Sequence, residues 1–541
     1  MVLQMRIHTR QRRDLIGNSR SLFQVILVLL CLGCGIVACG ATSPRASGHT
    51  YYVSKNGNGS SGTSWSTAWS ELAGINWSQV QPGDTILLDG GRQGMTYTTT
   101  LTIGKSGTQA APISIERASE DGHNGTVTLF GGRSTPLPYC GQLTYTYNQA
   151  PQANGIVVGS HSWIVLDGMS WGGIHIHGFR TYGIDMSGGP SNDTVRNIEI
   201  DDIGEAALSG SDWNPRTNGH GVYLTGTNLT FVRMNIHDNS DDAFNTGEAP
   251  GIQHVTITSS WLHVSREDPR QSGLPFNECV HQDGYQIFDG GVQGNLLIAS
   301  SVLGPGMSTG VILGQSPGRA TVNQVAIRNS LLLNKHINIM GYPQVAESGW
   351  VIDHDTIITP GQGIAGGVYQ SLFLQGSGNA VTNSIFYDGE IYLPDGLAVA
   401  SGNCAWQTTG DTAVLGGQVV DPRFATNISG YNESTPLTAI ASADFSLRAG
   451  SPCAGKGSSI TSLRQFLQKA GQSSTTVATP VPTQNPVTVI ITGPVSNTSE
   501  QYPAHTSDNH LPLWMVLLAG VLICALGAGL FWLVRRGRLH T

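Results

Sequence analysis

Asn218-Gly-His-Gly-Val-Tyr-Leu224, Ser240-Asp-Asp-Ala-Phe-Asn-Thr246 and His281-Gln-Asp-Gly-Tyr-Gln-Ile287 share one layout. Each is a polar cluster, then a small residue, then a short β-prone run. Aligned on the small residue, His220, Asp242 and Asp283 fall in one column. The pattern continues on both sides. Gly155, Gly183, Gly221, Ala243, Gly284, Gly310, Ile337 and Gly367 precede β-prone runs at separations of about 22 to 41 residues. Between them lie further runs at Trp163–Leu166, Val195–Ile200, Leu229–Ile236, Val255–Thr258, Val325–Arg328 and Trp350–Asp353. Short strands at such a period, with no amphipathic helix between them, predict an all-β solenoid and exclude a doubly wound α/β sheet. The repeat predicts about eight to ten coils of a parallel β-helix.

In a parallel solenoid, residues at one coil position stack at the strand spacing of ~4.8 Å. The column just before the small residue then reads Asn154, Tyr182, His220, Asp242, Asp283, Thr309, His336. Its middle holds two adjacent carboxylates. Like charges so close push their pKa values apart, which is what a general acid and a general base need. His220 is placed to tune that pair or to share the proton transfer. Three residues later a second ladder reads Asp185, Tyr223, Asn245, Gln286, Ile312, an aromatic and amide surface suited to a sugar. Extra chain leads into His220 (205 to 218) and into Asp283 (265 to 280), as cleft walls would. Asp, Asn and Gly also shape turns, so each member alone has that competing reading.

Composition bounds the setting. Glycine is frequent, with 70 of 541 residues, and charged residues make up only 12%. Arg6, Arg10, Arg12, Arg13 and Arg20 precede an apolar run from Leu22 to Ala38, so residues 1–41 read as an export signal or a signal anchor. Cleavage after Ala41 fits a small-residue rule, and Ile36-Val-Ala-Cys39 fits a lipid attachment site at Cys39. Residues 513–534 form an uncharged apolar run long enough to span a bilayer, which takes ~20 residues. Arg535-Arg-Gly-Arg538 follows and places the tail 535–541 in the cytoplasm. The body, 49–465, then lies outside on a Ser/Thr/Pro-rich stalk, 470–510. Without the nine arginines at the two ends and Asp14, the chain keeps 19 basic and 35 acidic groups. That balance disfavours nucleic acid. The body holds Cys140, Cys279, Cys404 and Cys453, of which Cys404 and Cys453 are the favoured disulfide pair.

Two segments carry a resemblance. Tyr51-Tyr-Val-Ser-Lys-Asn-Gly57, Gly62-Thr-Ser-Trp65, Ala68-Trp69 and Val80-Gln-Pro-Gly-Asp-Thr-Ile86 resemble the opening of bacterial right-handed parallel β-helix proteins, the superfamily of pectate lyases. The resemblance implies a strand, a capping helix near 66–80 and a Pro-Gly-Asp turn into the first coil. Asp421-Pro-Arg-Phe424 and Asp444–Cys453 resemble the closing segment of such proteins, implying the C-terminal end of the coil. Asp283-Gly284, Asp241-Asp242 and Gly219-His220-Gly221 also resemble elements of polygalacturonase-type glycoside hydrolases, in reverse chain order.

These readings give three competing functions. In a polysaccharide hydrolase, Asp242 and Asp283 would be acid and base, assisted by His220, with Asp185, Tyr223, Asn245, Gln286, Arg266 and Lys335 binding substrate. In a polysaccharide lyase, Asp241, Asp242, Asp283 and Glu278 would hold calcium, and Arg266 or Lys335 would take the proton. In a binding solenoid, the column would be a set of turns. The hydrolase needs no cofactor; calcium is the one cofactor in view.

Overall fold

The computed structural model describes residues 48–133, 152–204, 219–246, 252–265, 282–287, 292–313, 321–341, 346–360, 369–432 and 434–472. Its strands form three sheets of 13, 12 and 11 members. The chain visits them in rotation. Ile164–Asp167 lies in the first sheet, Ile174–His177 in the second and Tyr182–Met186 in the third. Thr194–Arg196 then returns to the first, beside the strand that opened the cycle. Every pairing between the strands of these sheets is parallel, as between Ile174–His177 and Ile198–Asp201. This is the parallel β-helix, and parallel crossovers are almost always right-handed. Eight strands of the third sheet begin between Asn154 and Gln370, where the sequence repeat is visible.

Stacked apolar ladders fill the coil. Ile184, Val222, Phe244, Tyr285, Val311 and Ile339 form one such column, all buried. Burying one side chain of this kind is worth ~1.5–3 kcal/mol. The small residue is needed because the turn runs close to the second sheet. A Cβ at Gly221 would lie 2.5 Å from Ile236 Cγ2, and one at Gly183 2.5 Å from Ile200 Cγ2.

The corner into the second sheet repeats too. Arg233, Ser259, Ser300, Asn329, His354 and Asn383 all have positive φ there. The next residue lends its side chain to the coil before it. Ser260 Oγ accepts from Met234 N, Ser301 Oγ from Ser260 N, and Ser330 Oγ from Ser301 N. Asp355 Oδ1 accepts from Ser330 N, and Ser384 Oγ from Asp355 N.

Both ends differ from expectation. Residues 66–80 form no capping helix but two 3-10 turns, Trp65–Thr67 and Leu72–Gly74. The reason is Trp69, which is buried and bridges Val53 in place of continuing a helix. The closing segment does not end the coil; it turns back over the outside of the second sheet. Phe424, Ile440, Phe445 and Phe466 bury Val302, Leu331, Ile358 and Ile385, the outward residues of that sheet. Gly457 N donates to Asn383 O and Ser458 Oγ to Asn329 O, so the segment runs toward earlier coils. The helix Leu463–Gln472 brings Phe466 edge-on to Trp171, with centroids 5.9 Å apart. A disulfide joins Cys404 to Cys453, as expected. The expected stalk begins inside the helix, at residues 470–472; its remainder, the signal region and the apolar run 513–534 lie outside the described residues, as do Cys140 and Cys279. Among the described residues no helix is long and apolar enough to cross a membrane.

Candidate functional site

The expected column forms on the third sheet. Tyr182 pairs with His220, and the register carries His220 to Asp242, Asp242 to Asp283 and Asp283 to Thr309. It then passes to Ile337 and Gln370, not to His336. The small position there is Asn338, where Ile337 was expected. Asn338 is buried and spends its amide on Ile358 O and Thr359 Oγ1. The next is Ser371 in place of Gly367, which lies outside the described residues.

Three-residue spacing would put the two ladders on opposite faces of a regular strand. Here they share one face, because consecutive amides point to the same neighbour. Gly221 N donates to Asp242 O and Val222 N to Ala243 O. Ala243 N and Phe244 N donate likewise to Asp283 O and Gly284 O. The bulge-like step turns the next side chain back outward.

The shared face has three zones. Tyr182 and Tyr223 stack with centroids 4.7 Å apart, and His220 lies 5.9 Å from Tyr182. Burial, then the neighbouring Tyr223 and Asp185, push the Tyr182 phenol up to about 12. Asn245 Nδ2 donates to Asp242 Oδ2 at 2.6 Å and to Gln286 Oε1 at 3.0 Å. Asp242 Oδ2 lies 3.4 Å from His220 Nδ1, and Asp242 Oδ1 accepts from Asp283 N at 3.3 Å. His220, Asp242 and Asp283 are buried, whereas Asp241 is partly exposed with an oxygen 3.9 Å from His220 Nε2. His220, Asp241 and Asp242 each offer one ligand atom, all within 4.8 Å of one another. An imidazole nitrogen in that set suits a transition metal better than calcium, which takes oxygen.

The other expected residues scatter. Asp185 accepts from Asn154 Nδ2 and from Ser187 N, bracing its own turn. Lys335 stands in the turn before Ile337–Gly341, two strands beyond the Asp283 position. His336, beside it, stacks on Tyr369. Arg266, Glu278, His281 and both long loops lie outside the described residues.

A second polar cluster, on the outside of the second sheet, was not expected. His175 pairs in register with Glu199, and His177 with Asp201. The next coils add Asn235 and His237, then Trp261 and His263. Asp201 Oδ1 meets His175 Nε2 at 2.8 Å and His177 Nδ1 at 2.7 Å. His237 sits between Asp238 Oδ2 at 2.9 Å and Glu199 Oε1 at 3.2 Å. Burial works against the charge on His237, but its hydrogen bonds to the Asp238 and Glu199 carboxylates outweigh it and push the imidazole up to about 10. His263, stacked on it at 4.7 Å and fully buried, is pushed well below the ordinary range. The signal was present in Ile174-His-Ile-His177 and Ile198-Glu-Ile-Asp201, where polar residues alternate with isoleucine.

No protein-family model matches the chain, and no curated protein matches it. Among solved structures it is similar to pectate lyase Pel9A, at 20% identity over 76% of this chain and 92% of that one, with a TM-score of 0.40. It is similar to a rhamnogalacturonan lyase at 13% identity, over 70% and 91% of the two chains, with a TM-score of 0.39. DFA-IIIase from Arthrobacter chlorophenolicus A6 matches at 12% identity, over 60% and 74%, with a TM-score of 0.36. At these identities nothing about chemistry passes from those proteins to this chain.

Proposed function

We propose that the outer face of the third sheet, around His220, Asp242 and Asp283, cleaves a polysaccharide by hydrolysis. One observation carries the reading: four successive coils set an aromatic pair, an amide pair and a carboxylate pair side by side. Tyr182 and Tyr223 would receive sugar faces, and Asn245 and Gln286 would bind hydroxyls. Asp242 and Asp283 would act as the acid/base and the nucleophile of a double displacement, with His220 tuning Asp242. Column neighbours sit one strand spacing apart, ~4.8 Å. That suits the ~5–5.5 Å carboxylate separation of retaining enzymes better than the ~6.5–9.5 Å of inverting ones. Retention is therefore the expected stereochemistry.

A second reading has its own support. His220, Asp241 and Asp242 could hold a cation, and a cation beside a uronate would serve a lyase, with Lys335 or Arg266 as the base. One experiment separates the readings. The full-length protein is assayed on neutral and uronic polysaccharides for reducing ends and for unsaturated-product absorbance, with and without chelator. Reducing ends without absorbance, indifferent to chelator and lost in Asp242→Asn and Asp283→Asn, support the hydrolase. Absorbance that the chelator abolishes supports the lyase. No cleavage by a folded protein that still binds glycan makes the face a binding surface.

On the same reading the enzyme works outside the cell, held by the run 513–534, with lipid at Cys39 or a retained signal anchor as a second attachment. Protease added to intact cells should remove the body and spare the tail.

A further inference from the structure

The second-sheet cluster lies on a different sheet from the column, and the proposed cleavage does not use it. Its geometry converges. His175 and His177 alternate outward on one strand, and Asp201 stands beside His177 on the next. Two imidazole nitrogens from different rings point at the same carboxylate oxygen, 2.8 and 2.7 Å away. All three ligand atoms lie within 4.8 Å of one another. We propose that His175 Nε2, His177 Nδ1 and an Asp201 carboxylate oxygen bind a divalent transition-metal ion, of which Zn²⁺ is the best fit.

Two imidazoles and one carboxylate are borderline ligands that suit Zn²⁺ and disfavour calcium and magnesium. Ligands on a tetrahedral Zn²⁺, at ~2.0–2.1 Å, stand ~3.3 Å apart, so each nitrogen would draw back from the Asp201 oxygen by about half an ångström. The rigid parallel register fixes the spacing of the three Cα atoms before any ion arrives. The ring contact between Phe130 and His177, with centroids 5.8 Å apart and planes 12° from parallel, holds one ligand in orientation. Three side chains that are 26%, 28% and 13% exposed leave a fourth position open to water. Two like charges act against a cation here: Arg133, held by Phe179 O and Gly204 O, and the protonated His237, which stands in register beside Asp201 but is paired with Asp238 and Glu199. Asp202 Oδ2, 3.9 Å from His177 Nδ1, adds compensating negative charge.

The test uses the full-length protein, stripped with chelator and titrated with Zn²⁺ by calorimetry and with Co²⁺ by visible absorption. The expected result is one equivalent bound with a tetrahedral Co²⁺ spectrum. Both should be lost in the His175→Gln/His177→Gln double variant and retained in His220→Gln, which disables the other candidate group. Asp201→Asn keeps the side-chain shape and should weaken Zn²⁺ at least tenfold while the thermal transition persists. The proposal is overturned if the folded, stripped protein takes up no Zn²⁺. It is also overturned if uptake survives the double variant, or disappears in His220→Gln alone.

Discussion

The outward faces of the second and third sheets carry the same residue types and arrange them differently. On the second sheet the strands alternate regularly, so outward groups fall at every second position, and His175, His177 and Asp201 aim at one point. On the third, the bulge-like step turns outward groups back at a spacing of three, and His220, Asp242 and Asp283 stand in line along the coil axis. The first arrangement concentrates donors as a single ion would. The second strings acids along the direction a polymer would lie. The pairings differ too. His–carboxylate contacts on the second sheet are as short as 2.7 Å, whereas His220 stands 3.4 Å from Asp242, whose closer partner is the neutral amide of Asn245.

The largest effect should come from breaking the line. Asp242→Asn and Asp283→Asn should each lower polysaccharide cleavage by ~10²–10⁴-fold, the usual worth of a positioned acid or base. His237→Gln, on the other face, should leave the cleavage rate within a few-fold. Reducing-end assays on the three folded variants check both statements. Equal losses in all three would erase the distinction between the faces.

The next effect belongs to the second sheet and is one of stability. His237 has a folded pKa of about 10, above its ordinary 6.5, so it binds a proton more tightly folded than unfolded. Its contribution is fully present below pH 6.5 and is lost as pH rises toward 10. His237→Gln should therefore cost ~1.5–3 kcal/mol at pH 6, the range for hydrogen bonds to charged groups, and less at pH 9. Denaturant melts at the two pH values measure the difference, and a cost that grows with pH would contradict the charged state. In NMR titrations, His237 should stay protonated and His263 neutral through the neutral range.

The two faces were also unequally legible. The column could be read because small residues mark it: a Cβ at Gly183 or Gly221 would strike an isoleucine of the second sheet, so the sequence must declare the position. Where a polar residue replaced the small one, at Asn338, the register slipped by one and His336 displaced Ile337. The second-sheet cluster has no such marker. His175 and Asp201 belong to different coils, and only the parallel register shows that His177 and Asp201 are neighbours. The return of the closing segment was hidden for a related reason. Val302, Leu331 and Ile385 read as ordinary strand residues, and nothing local says that their outward faces are covered.

An acid without an imidazole sharpens the contrast. Asp355 occupies the corner position that serine fills in four other coils, accepts from two backbone amides and is completely buried. Burial pushes its carboxyl well above the ordinary range. A raised carboxyl pKa stabilises the fold at low pH and costs stability as pH rises above the unfolded value. Asp355→Ser, which restores the donor used at Ser330 and Ser384, should raise stability by ~1–2 kcal/mol at pH 7 and by less at pH 4. Thermal melts at both values test it, and destabilisation at pH 7 would mean the carboxylate is compensated by more than its two amides.

The smallest effect tests what the aromatic residues on each face do. Tyr182 and Tyr223 stack with the partly exposed edge of the column, where a sugar ring could join them. Trp261 stacks on buried His263 and donates its indole N–H to Gly304 O, so it is spent on the fold. Removing Tyr223 should then cost binding, and removing Trp261 should cost stability. Aromatic stacking is worth ~0.5–1.5 kcal/mol beyond area, which for Tyr223→Ala is a rise in KM of roughly three- to tenfold with little change in kcat or melting temperature. Tyr223→Phe, which keeps the ring, should recover most of the loss. Trp261→Ala should lower the melting temperature and leave KM alone. Should Tyr223→Ala instead lower the melting temperature as much as Trp261→Ala, the stacked tyrosines would be packing, and the third-sheet face would lose the feature that makes it sugar-binding.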